Sequence, residues 1–300
     1  MVAAEKHQLH TLEAKDILRV YQDGEGHDVR ALEDFSLSLE GAEVVGLVGP
    51  SGCGKSTFLR LVAGLDKPQG GTLLYDGQPI EGPHYDRGLV FQSASLYDWL
   101  TVKDNIAFGL KARHVYKGNE EKVAEYIKMM GLEGFEDSYP YQISGGMASR
   151  TALARTFIQE PGLVLLDEPL SALDAFTRMV IQDEIIRMHQ STDAIFILVT
   201  HDIEEAVYLC DRVLVMSARP GTVIGEVDIA LEHPRNRTSQ EFVEKRKEIL
   251  EMFQAPPATS SLIADQIAEV EEEIRGERDS GWTAKRVKGM DPSRDLRDED

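Results

Sequence analysis

Cysteine is scarce: of 300 residues only Cys53 and Cys210 carry a thiol. Two distant cysteines, one of them inside a glycine-rich loop, make no disulfide framework, and a reducing cytosol is the compartment they fit. Long apolar runs are missing as well. No stretch approaches the roughly eighteen residues that cross a bilayer, and the opening MVAAEKHQLHTLEAKD has no apolar centre of the kind a secretory signal needs. Any work on a membrane would then be done through another chain. Positive charge is in deficit: 32 Lys and Arg against 52 Asp and Glu leave a net charge of −20, a surface that repels a phosphate backbone and excludes nucleic acid as a generic partner. No internal repeat is visible. What is present, 42% hydrophobic and 28% charged residues, is a globular composition that can fill a sizeable core.

From residue 17 to about residue 229, short apolar runs alternate with helical periodicity. FSLSL and EVVGLVG are followed by the helical KSTFLRLVAGL. GTLLY, GLVFQ, LVLLDEP, AIFILVTH and RVLVMS continue the strand series, with a helix from about Ala172 to Gln190 and a short one after His201. Apolar strands followed by amphipathic helices predict an α/β fold with a parallel sheet covered on both faces. Residues 102 to 160 are helical in spacing with no strand between, which predicts an inserted helical subdomain. Beyond Arg237, TSQEFVEKRKEILEMF puts Phe242, Ile249, Leu250 and Phe253 near one helical face, and SLIADQIAEVEEEI repeats the pattern with Leu262, Ile267, Val270 and Ile274. The resulting division is a main domain over 12–237, a helical extension over 238–275, and a tail over 276–300 too charged to bury much. A solvated, disordered tail is the main expectation for that last stretch, and a docking element the alternative.

Gly49-Pro50-Ser51-Gly52-Cys53-Gly54-Lys55-Ser56 satisfies G-x-x-x-x-G-K-[ST] and lies between an apolar strand and a helix, the context a phosphate-binding loop requires. Its glycines let the backbone wrap phosphates, the N–H groups through Thr57 form an anion nest, Lys55 supplies charge to the β- and γ-phosphates, and the Ser56 hydroxyl is a ligand for Mg²⁺. LVLLDEP ends an apolar run in two carboxylates, a costly pair at a core edge unless a cation or a reaction uses them. Asp167 would hold Mg²⁺ through its water shell, and Glu168 would polarise a water against the γ-phosphate. In isolation the pair could equally be acidic residues at a helix start. His201 ends another strand, where it is either an ordinary strand-end histidine or a group that reaches the γ-phosphate. Gln92, at the end of GLVFQ, offers its amide to Mg²⁺ and the attacking water. Tyr21 is either a core aromatic of its strand or a platform for adenine. The loop SASLYDWL after Gln92 gathers Leu96, Tyr97 and Trp99 into a groove for a partner helix, unless Trp99 belongs to the core.

A second phosphate-binding composition stands almost a hundred residues downstream: ISGGMASRTALAR, with Ser144, Gly145 and Gly146 opening a helical run whose N–H groups and dipole would favour an anion. One chain with two phosphate cradles is a puzzle that composition alone does not solve.

The assembled motifs resemble the nucleotide-binding subunit of an ATP-binding cassette (ABC) transporter over about residues 12 to 253. ISGGM is similar to that family's signature sequence, SALDA at 171–175 to the loop after its acidic strand, and His201 to its switch histidine. The resemblance implies a P-loop NTPase core with a parallel sheet, an N-terminal antiparallel β part and an inserted α-helical subdomain. It also resolves the puzzle. In that family two subunits pair head to tail, so Ser144, Gly145, Gly146 and Asp174 would contact the ATP held by Gly49–Thr57 of the neighbour. The implied partners are a second copy of the chain, transmembrane permease subunits and an extracytoplasmic solute-binding protein, with the chain at the cytoplasmic face of the cell membrane. GPHYDRGLVFQ, WLTVKDNIAFGL, the Met of SGGM, and VMSARPGTV followed by HPRNR resemble the ATPases of nitrate, sulfonate, taurine and bicarbonate importers. Asp98 stands where that group often has Pro, and Ser149 where it often has Gln. Two other classes stay open. A soluble cassette ATPase would carry a coiled-coil insertion or tandem cassettes, and a non-hydrolysing regulatory module would lack Glu168 or His201.

Overall fold

The computed structural model describes residues 9–254. The second amphipathic segment (262–274) and the charged tail proposed from sequence lie outside the described residues.

Two long strands, β1 (Thr11–Gln22) and β2 (Asp28–Glu40), pair antiparallel across a turn in which the Asp23 carboxylate accepts from the backbone N–H groups of Glu25 and His27. With β4 (Gly70–Tyr75) and the short β5 (Gln78–Pro79) they form a four-stranded sheet in the order β2-β1-β4-β5. The second sheet has six strands: β3 (Val44–Val48), β6 (Arg87–Val90), β7 (Leu163–Asp167), β8 (Ile195–Val199), β9 (Arg212–Met216) and β10 (Val223–Asp228), in the order β10-β9-β3-β8-β7-β6. Its strands run parallel except the edge strand β10, which pairs antiparallel with β9.

Strands β3, β7 and β8 are buried at every position, as expected for a sheet covered on both faces. Their side chains alternate between two cores with the period of a pleated strand. Val45, Leu47, Leu163, Leu165, Ile195 and Ile197 face a core shared with the antiparallel sheet and helix α1 (Lys55–Val62), where Phe35 and Phe58 pack 4.5 Å apart. Val44, Val48, Val164, Leu166, Phe196 and Leu198 face the helices on the other side. At the strand starts, Tyr75 Oη donates to Asp86, meets His10 Nδ1 at 2.9 Å, and His10 reaches Asp76 at 3.0 Å. Gly162 N–H donates to Asp86 as well, so this polar cluster ties the two sheets together.

Between β6 and β7 lie α2 (Val102–Ala112), α3 (Glu120–Met129) and α4 (Gly145–Phe157), with no strand among them. α2 starts where the Thr101 side chain accepts from Asp104 N–H, the side-chain cap that satisfies an orphan donor of the first turn. α5 (Ala175–Gln190) and α6 (Ile203–Leu209) follow β7 and β8. α7 (Gln240–Gln254) docks through Phe242 and Ile249, both fully buried, with Phe253 partly covered. Leu250 departs from the expected face: it is exposed. Adjacent helical positions point about 100° apart, so Ile249 and Leu250 cannot share one narrow stripe.

Candidate nucleotide site

Parallel pairing puts the carboxyl ends of β3, β8, β7 and β6 on one edge, side by side, and everything a phosphate chemistry needs follows those ends. After β3 comes the glycine-rich loop. Gly52 and Gly54 have φ of 75° and 106°, left-handed values that favour glycine, and a Cβ on Gly54 would lie 2.5 Å from the Ala31 carbonyl oxygen. Gly54 precedes α1, and no side chain caps that helix, which leaves its first-turn N–H groups and its positive dipole end available to an anion. Lys55 is buried, its ammonium donating to the carbonyls of Gly49 (2.7 Å) and Pro50 (3.0 Å) and lying 3.6 Å from the Cys53 sulfur. Gly49, Pro50 and Cys53 thus act from behind the loop.

After β7, Ser56 Oγ donates to Asp167 at 2.9 Å. Burial holds the Asp167 carboxyl above the usual carboxylate range, partly offset by the Ser56 hydrogen bond. A hydroxyl and a desolvated carboxylate side by side are hard oxygen donors that suit Mg²⁺, and a cation there would relieve the burial cost. Glu168 takes φ of 46°, a left-handed conformation that non-glycine residues adopt at a cost of about 1–3 kcal/mol. The turn is held by Glu168 N–H donating to Val199 O and by Ser171 Oγ donating to Glu168 O. It aims the Glu168 carboxylate at the two other strand ends. Gln92 Nε2, after β6, donates to Glu168 Oε2 at 3.0 Å, and His201 Nδ1, after β8, stands 3.3 Å from the same oxygen. Behind them Thr200 Oγ1 donates to Glu205, whose carboxyl is pushed up to about 7 by burial.

A cleft of about 330 Å³ opens beside these parts; Asp167 is not among its lining residues, and His201 lines a smaller neighbouring pocket that shares Glu168 with it. Ser51, Gly52, Gly54, Lys55, Ser56, Thr57, Gln92 and Glu168 line the cleft, as expected from sequence, and Tyr21 forms its outer wall. Tyr21 is half-buried, its hydroxyl donating to Asp66 and one ring face covered by the Arg19 guanidinium 4.5 Å away. It is therefore no core residue. Val29, Ala31 and Arg219 complete the lining and were missed by the sequence reading. Only the ARPG composition of 218–221 hinted at the last, because which strand neighbours β3 is invisible in periodicity.

Ser144, Gly145, Gly146 and Asp174 are not in this cleft. Ser144 caps α4, its side chain accepting from Met147 N–H at 3.2 Å, and Ser144 and Gly145 are exposed. Asp174 caps α5, accepting from Phe176 and Thr177 N–H groups, and the Thr177 hydroxyl together with these N–H groups holds its carboxyl below the usual range. Trp99 is 72% exposed, with the Tyr97 ring packed at a tilt against both it and Phe108, so the core alternative for Trp99 fails. Among the described residues no helix is long and apolar enough to cross a membrane.

Residues 32–171 match the ABC transporter family. The chain is 47% identical over 243 residues to an uncharacterised ABC transporter ATP-binding protein of Methanocaldococcus jannaschii, covering 81% of this chain and 91% of the relative. It is 41% identical to the nitrate import ATP-binding protein of a Synechocystis strain (88% and 98% covered) and 41% identical to the aliphatic sulfonates import ATP-binding protein of Bacillus subtilis (77% and 89% covered). Among solved structures, a dimeric ATP-binding cassette in a post-hydrolysis state with ADP and Pi is similar at a TM-score of 0.66 and 29% identity, covering 74% of this chain and all of the other.

Proposed function

The chain belongs to the ABC transporter ATP-binding family, and we propose that it is the ATP-hydrolysing subunit of an importer for a small anionic solute such as a sulfonate or nitrate, acting through a separate permease. One observation carries the enzymatic half: Glu168, Gln92 and His201 converge from three strand ends beside the lysine and glycines of the cleft. The solute class rests on what the nitrate and sulfonate relatives are named for.

In this reading the N–H groups of the loop and Lys55 bind the phosphates, and Tyr21 takes the adenine. Ser56 and Asp167, with Gln92, hold Mg²⁺, which when bound neutralises charge on the phosphate oxygens. Glu168 accepts a proton from the water that attacks the γ-phosphorus as the bond to the leaving β-phosphate oxygen breaks. His201 orients Glu168 and the γ-phosphate. Two chains pair head to tail, and Ser144, Gly145, Gly146 and Asp174 of each complete the neighbour's site. The permease places the pair at the cytoplasmic face of the membrane, with an extracytoplasmic protein delivering solute. The exposed Trp99, with half-buried Tyr97 against it in the segment after Gln92, supports a docking groove there. The soluble-ATPase alternative finds no support in the relatives' names.

The test is to purify the tagged full chain from its native membranes. A polytopic membrane protein should copurify, and proteoliposomes holding both should take up labelled sulfonate or nitrate only with internal ATP. ATP hydrolysis by a chain that brings no membrane protein with it would favour the soluble alternative.

A further inference from the structure

We infer that Arg219 is a nucleotide-binding residue, a second cation beside Lys55 whose guanidinium binds the phosphate chain of ATP where that chain leaves the glycine-rich loop toward the base. The inference rests on the proposed reading of the cleft as the ATP site.

The position of Arg219 is set by the topology. β9 pairs parallel with β3, so the chain leaving β9 emerges beside the loop that follows β3. The connection from Ser217 to Thr222 is closed on itself: Ser217 N–H donates to Thr222 O at 2.9 Å, and Ser217 Oγ donates to Pro220 O at 2.8 Å. It is also pressed against the cleft from behind. Gly221 N–H donates to the Ala31 carbonyl at 3.0 Å, and a Cβ on Gly221 would lie 1.9 Å from the Cys53 carbonyl oxygen. No side chain fits there, so the loop can be seated this closely only with glycine at 221.

Seated so, Arg219 donates Nε–H to the Gly52 carbonyl at 3.2 Å, and its Nη2 lies 2.9 Å from where a Gly52 Cβ would stand. Among the described residues its hydrogen-bond partner is that carbonyl and no carboxylate pairs with it, in a chain with 52 acidic residues. Arg219 lines the cleft, and it and Lys55 are the two cations of that lining. Lys55 is held at the Gly49 and Pro50 carbonyls, next in the chain to Ser56, which donates to Asp167. Arg219 stands at Gly52, to whose carbonyl it donates, lines the same cleft as Tyr21, Val29 and Ala31, and among the described residues makes no hydrogen bond to Glu168, Gln92 or His201. A planar guanidinium with free N–H groups is well matched to phosphate oxygens. Placed away from the bond that breaks, it binds ATP and the transition state alike, and uniform binding of that kind lowers KM and leaves kcat unchanged.

The test uses the full chain, with MgATP and MgADP titrated calorimetrically at low and high salt. Arg219→Gln retains a donor for the Gly52 carbonyl and removes the charge, Arg219→Lys restores the charge, and Lys55→Ala is the control for the cleft itself. Loss of one charge-assisted contact predicts that Arg219→Gln weakens both nucleotides about 10-fold, with a shallower salt dependence and unchanged kcat at saturating ATP, while Arg219→Lys stays within about 3-fold of the parent. Arg219→Gln within about 2-fold of the parent would overturn the inference. So would equal losses in the Gln and Lys variants together with a lower melting temperature of the nucleotide-free chain, which would make Arg219 only a brace for Gly52. Failure of the parent chain to bind nucleotide at all would instead sink the reading of the cleft.

Discussion

Two glycine-rich helix starts in this chain look alike in sequence and differ in every physical respect. At the start of α1 the glycines are demanded by the chain itself: Gly54 has φ of 106°, and a Cβ there would strike the Ala31 carbonyl at 2.5 Å. At the start of α4 they are not. A Cβ on Gly145 would meet nothing within 4 Å, and one on Gly146 would press on the end of the Leu173 side chain at 3.2 Å and make ordinary contacts with the Ala172 carbonyl oxygen at 3.6 Å and the Ser144 hydroxyl at 4.0 Å. The carboxylates near the two starts diverge in the same way. Asp167, beside α1, is buried and held above its ordinary pKa, whereas exposed Asp174 is held below it by the Thr177 hydroxyl and the N–H groups of α5 that it caps. One helix start is a finished cradle inside a fold. The other is an open surface whose glycines cost helix stability and repay nothing within this chain, which is what a surface shaped for the close approach of another molecule would show.

The largest expected effect sharpens the cradle side. Glu168→Gln should bind MgATP nearly as the parent does and lose about 100-fold or more in turnover with its membrane partner, the usual cost of removing a positioned base. Near-parental hydrolysis would remove Glu168 from the chemistry. Next come two matched substitutions. Gly54→Ala should destabilise the nucleotide-free chain by at least about 2 kcal/mol in urea unfolding, through a strained φ and a backbone clash. Gly145→Ala should instead stabilise it by about 0.5 kcal/mol, because a glycine in an open helical position is replaced by a better helix former, and should still impair ATP-driven pairing. Equal effects from the two would erase the contrast.

A smaller effect tests desolvation on the cradle side alone. Burial raises the Glu205 carboxyl from 4.5 to about 7. The folded state then holds a proton that the unfolded chain has released, so the stability linked to that proton is fully present below pH 4.5 and is lost as pH rises through 7. Glu205→Gln should lack this slope, so the difference between its unfolding midpoint and the parent's should change between pH 4.5 and 7. A difference that does not change with pH would mean that Glu205 is ionised throughout.

Much of this was legible in the residues. The phosphate loop, Asp167, Glu168, Gln92 and His201 all follow apolar runs, and strands buried on both faces advertise themselves as unbroken runs of Val, Leu and Ile. What stayed hidden depends on contacts distant in sequence. Arg219, Val29 and Ala31 enter the cleft because β9 lies beside β3 and β2 folds over the loop, and strand order leaves no mark on local periodicity. The left-handed turn at Glu168 is imposed by hydrogen bonds to Val199 and Ser171, against the preference of a glutamate. Leu250 was misplaced because its apolar character says nothing about which face β9 and β10 cover. The role of Ser144, Gly145 and Gly146 lies further out still, since the group they would serve belongs to another molecule.

That last point is tested most directly by mixing two broken chains. Lys55→Ala disables the cradle half of a shared site, and Ser144→Arg blocks the α4 half, so each homodimer should fail to trap nucleotide. A heterodimer purified through two different affinity tags contains one site with both halves damaged. Its other site joins the intact Lys55 of one chain to the intact Ser144 of the other. ATP trapping should reappear in that heterodimer at about half the parental stoichiometry, one site of two, as expected if the sites are equivalent under two-fold symmetry. Trapping no greater than in the mutant homodimers, in heterodimers shown to be folded and paired, would mean that the Ser-Gly-Gly start of α4 acts within its own chain or not on ATP at all.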